Sequence, residues 1–478
     1  MTHRSDLRTR MLALYVLCAG VLMIVLDTTI VNVALPSIRE DLRFTETSLV
    51  WVINAYMLTF GGFLLLGGRL GDLYGHRRLF LAGLVVFALA SLACGVSTSQ
   101  AMLVAARAVQ GLGGAVVDAV ALSLVADLFR DPGERAKAMG IYGFVCAAGG
   151  SIGVLLGGLL TSALSWHWIF LVNLPIGAVV YVSCRRLLPD VRARTPGARL
   201  DIAGAVTVTA SLLLAVYAVV NGNEAGWTST QTIALLAGAS VLFALFLAIE
   251  GQVQSPLVPL RLFRLRNLAI ANVVGTLWAA AMFAWFFISA LYLQLVLGYS
   301  ALQVGLAFLP ANIIMAVLSV GASAKLVSRY GLRVPLAAGL FVAAAGLALF
   351  ARAPVDGSFA IDVLPGMMLL GIGAGVAFNP VLLAAMGDVA PNESGLASGV
   401  VNTSFMMGGS LGLAVLASVA AARTDDLLGM GAAQALALND GYRLAFALGA
   451  LFALGAALLG ALLLRPQREA PLPGVEQT

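Results

Sequence analysis

The chain has 478 residues, 60% of them hydrophobic and only 11% charged, with a formal net charge of +5. A soluble domain carries about 25% charged residues, so most of this surface cannot face water and a soluble enzyme is excluded. Apolar runs of roughly 20 residues recur from end to end, each long enough to cross a hydrocarbon core of ~30 Å as a helix. They do not alternate as the strands of a membrane β-barrel must.

Taken in chain order, the runs predict fourteen spans, starting near residues 11, 49, 79, 100, 136, 167, 201, 231, 268, 301, 335, 362, 395 and 441. No cleavage site follows the first run, so it is expected to remain as a helix. An even number of spans places both termini on one side. With that side cytoplasmic, the inside segments collect 22 of the 28 Lys and Arg. Five fall outside (Arg39, Arg43, Arg352, Arg423 and Arg443), and Arg107 lies within span four. This asymmetry predicts cytoplasmic termini. Only Lys137 and Lys325 among the basic residues are lysines, a bias that hints at a GC-rich bacterial genome and hence a bacterial inner membrane. Cys18, Cys94, Cys146 and Cys184 have no metal-ligand spacing and read as small packing residues, so no metal site is expected.

The two halves resemble each other at an offset of about 260 residues. In span five, Glu134 and Gly140 precede GGSIG at 149–153; in span eleven, counting here and below without the two spans near 201 and 231, Glu393 and Gly399 precede GGSLG at 408–412. GLGGAV from Gly111 is echoed by GIGAGV from Gly371, and GRLGDLYGHRR (68–78) by AKLVSRYGLRV after span eight. Such repeats let two bundles rock about a site near the midplane. The expected organisation is an N-terminal six-helix bundle (1–188), a linker with two extra transmembrane helices (189–259), a C-terminal six-helix bundle (260–464) and a cytoplasmic tail (465–478).

Four motifs carry a resemblance to a known family. They are LDTTIVNVALP (26–36), GRLGDLYGHRR (68–78), RAVQGLGGA (107–115) and WHWIFLVNLPIG (166–177). In this order they resemble the major facilitator superfamily, in its fourteen-helix drug:proton antiporter branch of the EmrB/QacA multidrug efflux type. The resemblance covers nearly the whole chain. It implies an all-α integral membrane fold of two six-helix bundles with two extra helices between them. It also implies proton-coupled export of hydrophobic molecules, cationic ones among them, such as antibiotics or biocides. The branch's fifth-helix motif contains a proline where this chain has Val154. The helix-packing glycines Gly149, Gly153, Gly157 and Gly158 remain, but the residue that encourages a kink is gone.

Ionisable groups inside a membrane are functional candidates by default. Asp27 and Arg107 lie at similar depths in antiparallel spans one and four. They form a pair if those helices face each other, as in the family: Asp27 takes up and releases the proton, and Arg107 modulates it. A static ion pair that fixes packing is the plainer alternative. Asp118 follows Arg107 by eleven residues, hence on the same face and about 16 Å deeper. It is outside the family motif, and reads as a second proton site, a recognition point for a cation, or a structural carboxylate. In the cytoplasmic turn, Gly68, Gly71 and Gly75 allow close approach beside Arg69, Asp72, Arg77 and Arg78. By resemblance Asp72 meets the start of span eleven when the inner gate closes. Asn32, Trp51, Asn54, Tyr56, Gln110, Trp278, Trp285, Tyr292, Asn312 and Asn379 are candidates to line the cargo cavity, the rings by cation–π contact. Pro380 suggests a break, and so a hinge, in span ten. His76 and His167 read as packing or solvated residues.

No GxxxxGK[ST] loop is present, which argues against an ATP-driven pump. Coupling must then come from an ion gradient, which the resemblance implies is one of protons, and no cofactor is expected. The expected partners are a small-molecule cargo, protons and membrane lipid, without nucleic acid, and the expected state is a monomer. The alternatives are a proton symporter for a polar solute, a lipid or lipid-precursor translocase, and a membrane-embedded sensor. The sensor is ranked last because no sizeable soluble domain follows the spans.

Overall fold

The computed structural model describes residues 2–129, 131–188, 201–254, 256–387, 389 and 394–465, and those residues form helices and connecting turns without strands. The helices are α1 (Thr2–Leu42), α2 (Glu46–Leu49), α3 (Trp51–Tyr74), α4 (His76–Gly95), α5 (Gln100–Leu128) and α6 (Pro132–Ala163). There follow α7 (Trp168–Leu171), α8 (Asn173–Leu187), α9 (Ile202–Ala225), α10 (Thr230–Gln252), α11 (Arg266–Leu291) and α12 (Ala301–Val317). The chain ends with α13 (Ser323–Tyr330), α14 (Arg333–Phe350), α15 (Leu364–Met386), α16 (Ser394–Gly429) and α17 (Gln434–Leu463).

Among the described residues, twelve helical segments are long and apolar enough to cross a membrane, rather than the fourteen expected. The other two expected spans contribute the shorter apolar stretches Ile152–Ala163 of α6 and Ala301–Val317, which is α12. The second is short because a π-turn, Leu318–Ala322, separates α12 from the polar α13. The last span begins at Gln434 instead of near 441. Its polar first turns looked like a loop but are tied down: Asn439 Nδ2 donates to Ala353 O (3.2 Å) and Arg443 Nε to Ala351 O (2.9 Å).

The repeat is visible as matched packing. In the first half α6 lies on α1, α3 and α4 on α5; in the second, α16 lies on α11, α12 and α14 on α15. Equivalent glycines make equivalent close approaches. A Cβ on Gly153 would fall 2.0 Å from Thr29 Oγ1 of α1, and one on Gly412 would fall 2.1 Å from Ala280 Cβ of α11. A Cβ on Gly111 or on Gly371 would fall 2.4 Å from a carbonyl oxygen, Tyr56 O and Ala311 O respectively. Gly75 (φ 93°) and Gly331 (φ 72°) end α3 and α13 in the left-handed region that favours glycine. Each donates its N–H to the carbonyl four residues earlier at 2.9 Å.

The halves meet where α6 packs on α12 and where α3 packs on α16. Leu302 N donates to Ser162 Oγ (3.1 Å), and Gln294 Nε2 to Val33 O (3.0 Å), joining them away from the arginine-rich end, here called the basic end. Helix α9 lies against both α3 and α16. Val208 clusters with Met407, and Asn223 Nδ2 donates to Ser418 O (2.6 Å). The two extra helices therefore cover the α3/α16 seam.

The sequence suggested a break at Pro380, but α15 runs through it as one helix. Proline removes the bond to the carbonyl four residues back, and Ser323 Oγ supplies a replacement by donating to Val376 O (3.2 Å). Helix α6 is likewise unbroken at Val154.

Candidate functional site

The glycine ladder on α6 brings it close to α1 on either side of Asp27. Gly149 faces Leu22 and Val25, Gly153 faces Leu26 and Thr29, and Gly157 faces Ile30, while Gly158 instead meets Ala301 and Leu302 of α12. Any side chain at the first three would push α1 away. Asp27 points to the other side of α1, into the first bundle, and is fully buried, as is Arg107 at 1% exposure.

There the two form an ion pair, Arg107 Nη1 to Asp27 Oδ2, at 2.5 Å. Asp27 Oδ1 accepts from Gln110 Nε2 (2.7 Å) and from Asn173 Nδ2 of α8 (2.9 Å). Arg107 also donates to Gln110 Oε1 (2.7 Å) and, through Nε, to Val52 O of α3 (2.9 Å). Ser91 of α4 accepts from Gln110 Nε2 (2.7 Å) and Asn173 Nδ2 (3.3 Å). The guanidinium lies 4.3 Å from the Tyr56 ring centroid and 5.6 Å from that of Phe170. Burying an ion pair costs several kcal/mol per ion unless further hydrogen bonds complete both partners. Here the Val52 carbonyl of α3, Gln110 of α5 and Asn173 of α8 supply them.

Gln110 and Tyr56, expected in the cargo cavity, thus belong to this network. Asn173 and Ser91 were missed by sequence reasoning. Asn173 lies within WHWIFLVNLPIG and was a legible polar position in an apolar run, whereas nothing marked Ser91.

Asp118 is half-buried and accepts from Tyr142 of α6 at 3.2 Å, separate from the Asp27 network. Its repeat equivalent, at the offset that pairs Gly111 with Gly371, is Phe378 on α15. Phe378 meets Phe405 of α16 at 6.0 Å, and Phe405 meets Phe283 of α11 at 5.9 Å, both edge-on. Phe283 also packs against Gly409, where Met57 of the first half arrives. This aromatic and methionine cluster at the junction of the halves was not singled out in the sequence. Isolated phenylalanines in apolar spans give no signal.

The remaining cavity candidates separate into two groups. Asn54, Trp278, Trp285 and Asn312 are buried, and Asn54 Oδ1 and Nδ2, both indole N–H groups and Asn312 Nδ2 have no protein partner. Those buried polar atoms require a partner from elsewhere. The others are committed. Asn32 donates to Thr28 O and Thr29 O of its own helix (3.3 Å each), and Asn379 to Ser319 O of the π-turn (2.7 Å). Tyr292 donates to Pro354 O (2.9 Å), and Trp51 packs on Tyr217 of α9 at 6.4 Å. A surface pocket of about 530 Å³, lined by Asp356, Arg423, Asp440 and Arg443 among others, contains none of the candidates.

In the turn at the basic end, α3 continues through Gly68 and Gly71, and the chain reverses at Gly75. A Cβ on Gly68 would meet nothing, whereas one on Gly71 would press on the His76 ring. His76 Nδ1 lies 3.0 Å from Asp127 Oδ2, which joins this turn to α5. Arg77 Nη2 donates to Arg185 O (2.5 Å), and Arg10 pairs with Glu134 (2.8 Å), joining α1 to α6. Arg69 is half-buried and Arg78 makes its own contact. The Asp72 side chain, and residues 390–393 just ahead of α16, lie outside the described residues.

Residues 17–413 match the model of the Major Facilitator Superfamily. The chain belongs to that family. This transporter is 39% identical over 452 residues to the puromycin resistance protein of Streptomyces alboniger, covering 94% of this chain and 90% of that one. It is 40% identical over 423 residues to a cephamycin export protein of Amycolatopsis lactamdurans, covering 88% and 87%. It is 38% identical over 425 residues to the multidrug resistance protein Stp of Mycobacterium tuberculosis, covering 87% and 76%. Among solved structures, a bacterial homologue of the human lysosomal transporter Spinster, inward-facing and unoccupied, superposes with a TM-score of 0.68 at 16% identity. That alignment covers 97% of this transporter and 99% of the other chain, and concerns the fold alone.

Proposed function

We propose that this transporter exports hydrophobic, amphipathic or cationic small molecules of the antibiotic and biocide kind in exchange for protons. It would do so across a bacterial inner membrane, as a monomer with fourteen crossings and both termini cytoplasmic. The observation that carries the coupling is the Asp27–Arg107 pair, buried away from solvent yet completed by four further hydrogen bonds. An adjacent cation favours the charged form of a carboxyl group, and its departure favours the neutral form. If rocking of the bundles slides α5 against α1, the counter-charge departs and Asp27 takes a proton; the return stroke expels it. The names of the relatives, which speak of puromycin, cephamycin and multidrug resistance, support this cargo class.

For the cargo, the repeat supports a two-sided site. Asp118 on the first half offers a negative charge, and Phe378, Phe405 and Phe283 on the second offer ring faces and edges. A flat molecule with a cationic centre satisfies both. The unpartnered N–H groups of Trp278, Trp285, Asn54 and Asn312 are candidate donors to its polar atoms. Dye or drug efflux from cells expressing the transporter, with and without a protonophore, tests this function. Efflux that collapses with the protonophore supports it; inward, proton-driven accumulation of a polar solute would replace it with the symporter alternative.

A further inference from the structure

Two buried carboxyl groups lie outside the Asp27 network, at the base of the two-helix insert. Asp201 and Glu250 are each 4% exposed. Asp201 caps α9, its Oδ1 accepting from Gly204 N at 2.7 Å. Glu250, in the last turn of α10, accepts from Val258 N through Oε2 at 3.1 Å. Each keeps one buried oxygen, Asp201 Oδ2 and Glu250 Oε1, without a hydrogen-bond partner. These two oxygens converge. A Cβ on Gly204 would lie 2.5 Å from Asp201 Oδ2 and 2.9 Å from Glu250 Oε1, and the side chains are within hydrogen-bonding reach of each other.

Ionised carboxylates only accept hydrogen bonds, so two of them facing across a dry gap repel and leave both oxygens unsatisfied. One proton converts the repulsion into a short charge-assisted O–H···O bond. We propose that Asp201 and Glu250 share a single proton, which makes the base of the insert a proton-binding site separate from Asp27. Gly204 is the residue that leaves room for it.

The site joins three pieces of chain: the start of α9, the end of α10 and the strap after residue 252. Leu257 and Val258 of that strap pack with Ala205 and with Leu66 and Leu70 of α3, just before the turn at Gly75. With the proton in place the strap is fastened to α3. Without it, two negative charges face each other under the strap and loosen it. Charged groups on neighbouring elements are Arg69 on α3 and Arg261 and Arg264 on the 3-10 turn Leu260–Arg264. Helices α2 and α16 carry Glu46, Arg423, Asp425 and Asp426 at the opposite end of α9. This proposal stands apart from the antiport cycle, since its first readout needs no transport.

The test is infrared spectroscopy of the purified full-length protein, titrated from acid to alkaline buffer. A protonated-carboxyl band equal to one group should titrate in the wild type and be lost in both Asp201→Asn and Glu250→Gln. The asparagine keeps the helix cap, and the glutamine keeps the acceptor for Val258 N, so both variants retain the surrounding bonds. Losing the same single band in each variant identifies a shared proton. Two independent bands, one lost per variant, or spectra unchanged from wild type, would overturn the proposal. Transport at a fixed gradient but rising pH at the basic end gives the second readout. Wild-type rate should change with that pH, and Glu250→Gln, fixed in the hydrogen-bonded state, should lose that change.

Discussion

Arg107 and Asp27 are held in a medium that penalises each of them alone. Removing one partner of such a pair leaves a buried uncompensated charge, at a cost of about 3–5 kcal/mol. Asp27→Asn removes the titrating group but retains the shape and the acceptor oxygen for Gln110 and Asn173. It is expected to fold, to bind cargo, and to lose proton-driven transport in reconstituted vesicles. Full proton-coupled transport by that variant would leave the pair as a mere packing device. Arg107→Lys keeps a charge but loses the planar fork that reaches Asp27, Gln110 and Val52 together. A transport rate reduced at least tenfold, with the protein still extractable in folded form, is the expected outcome. The pair itself was legible in the sequence, because charges are rare in apolar spans and depth follows from residue count. Its supporting cast was not. Ser91 and Asn173 matter only because α4 and α8 turn those positions inward, and facing cannot be read from composition.

At the scale of the element, the glycine face of α6 sets how closely α1 approaches and therefore where Asp27 sits. Gly153→Val would force a side chain into Thr29 Oγ1 and Leu26 O, whereas Gly150 faces open space. Overpacking of this kind costs about 1–3 kcal/mol. A lowered thermal midpoint for Gly153→Val in detergent, with Gly150→Val close to wild type, is the expected pattern; equal effects would show that the ladder does not hold α1. The ladder could be read in advance from its four-residue spacing and its copy in span eleven. The continuity of α15 through Pro380 could not, since it depends on Ser323, a residue on another helix that donates to the freed carbonyl.

Across the whole molecule the repeat preserves packing and discards charge. Glycine contacts recur in both halves, yet the position of Asp118 becomes Phe378 and that of Arg107 becomes Met367, while Asp27 becomes Trp278 at the offset that pairs Thr29 with Ala280. One half thus carries the buried charges, and the other offers apolar and aromatic surface. Asp118→Ala should weaken export of cationic cargo relative to neutral cargo, read as a changed ratio of efflux rates; an unchanged ratio would remove Asp118 from the cargo site. The apolar helices and the glycine repeat were legible because bilayer thickness and residue spacing are properties of the chain alone. The covering of the α3/α16 seam by α9 was not, because it depends on which of two equivalent seams the insert reaches.

The central claim is that proton movement through Asp27 drives cargo outward. It is met most directly by vesicles containing the purified transporter, loaded with a fluorescent cationic drug, across which a pH gradient is imposed in either direction. Drug should move opposite to the protons, reverse when the gradient is inverted, and lose both responses in Asp27→Asn. Movement of equal speed and direction in the wild type and in Asp27→Asn under both gradients would contradict it.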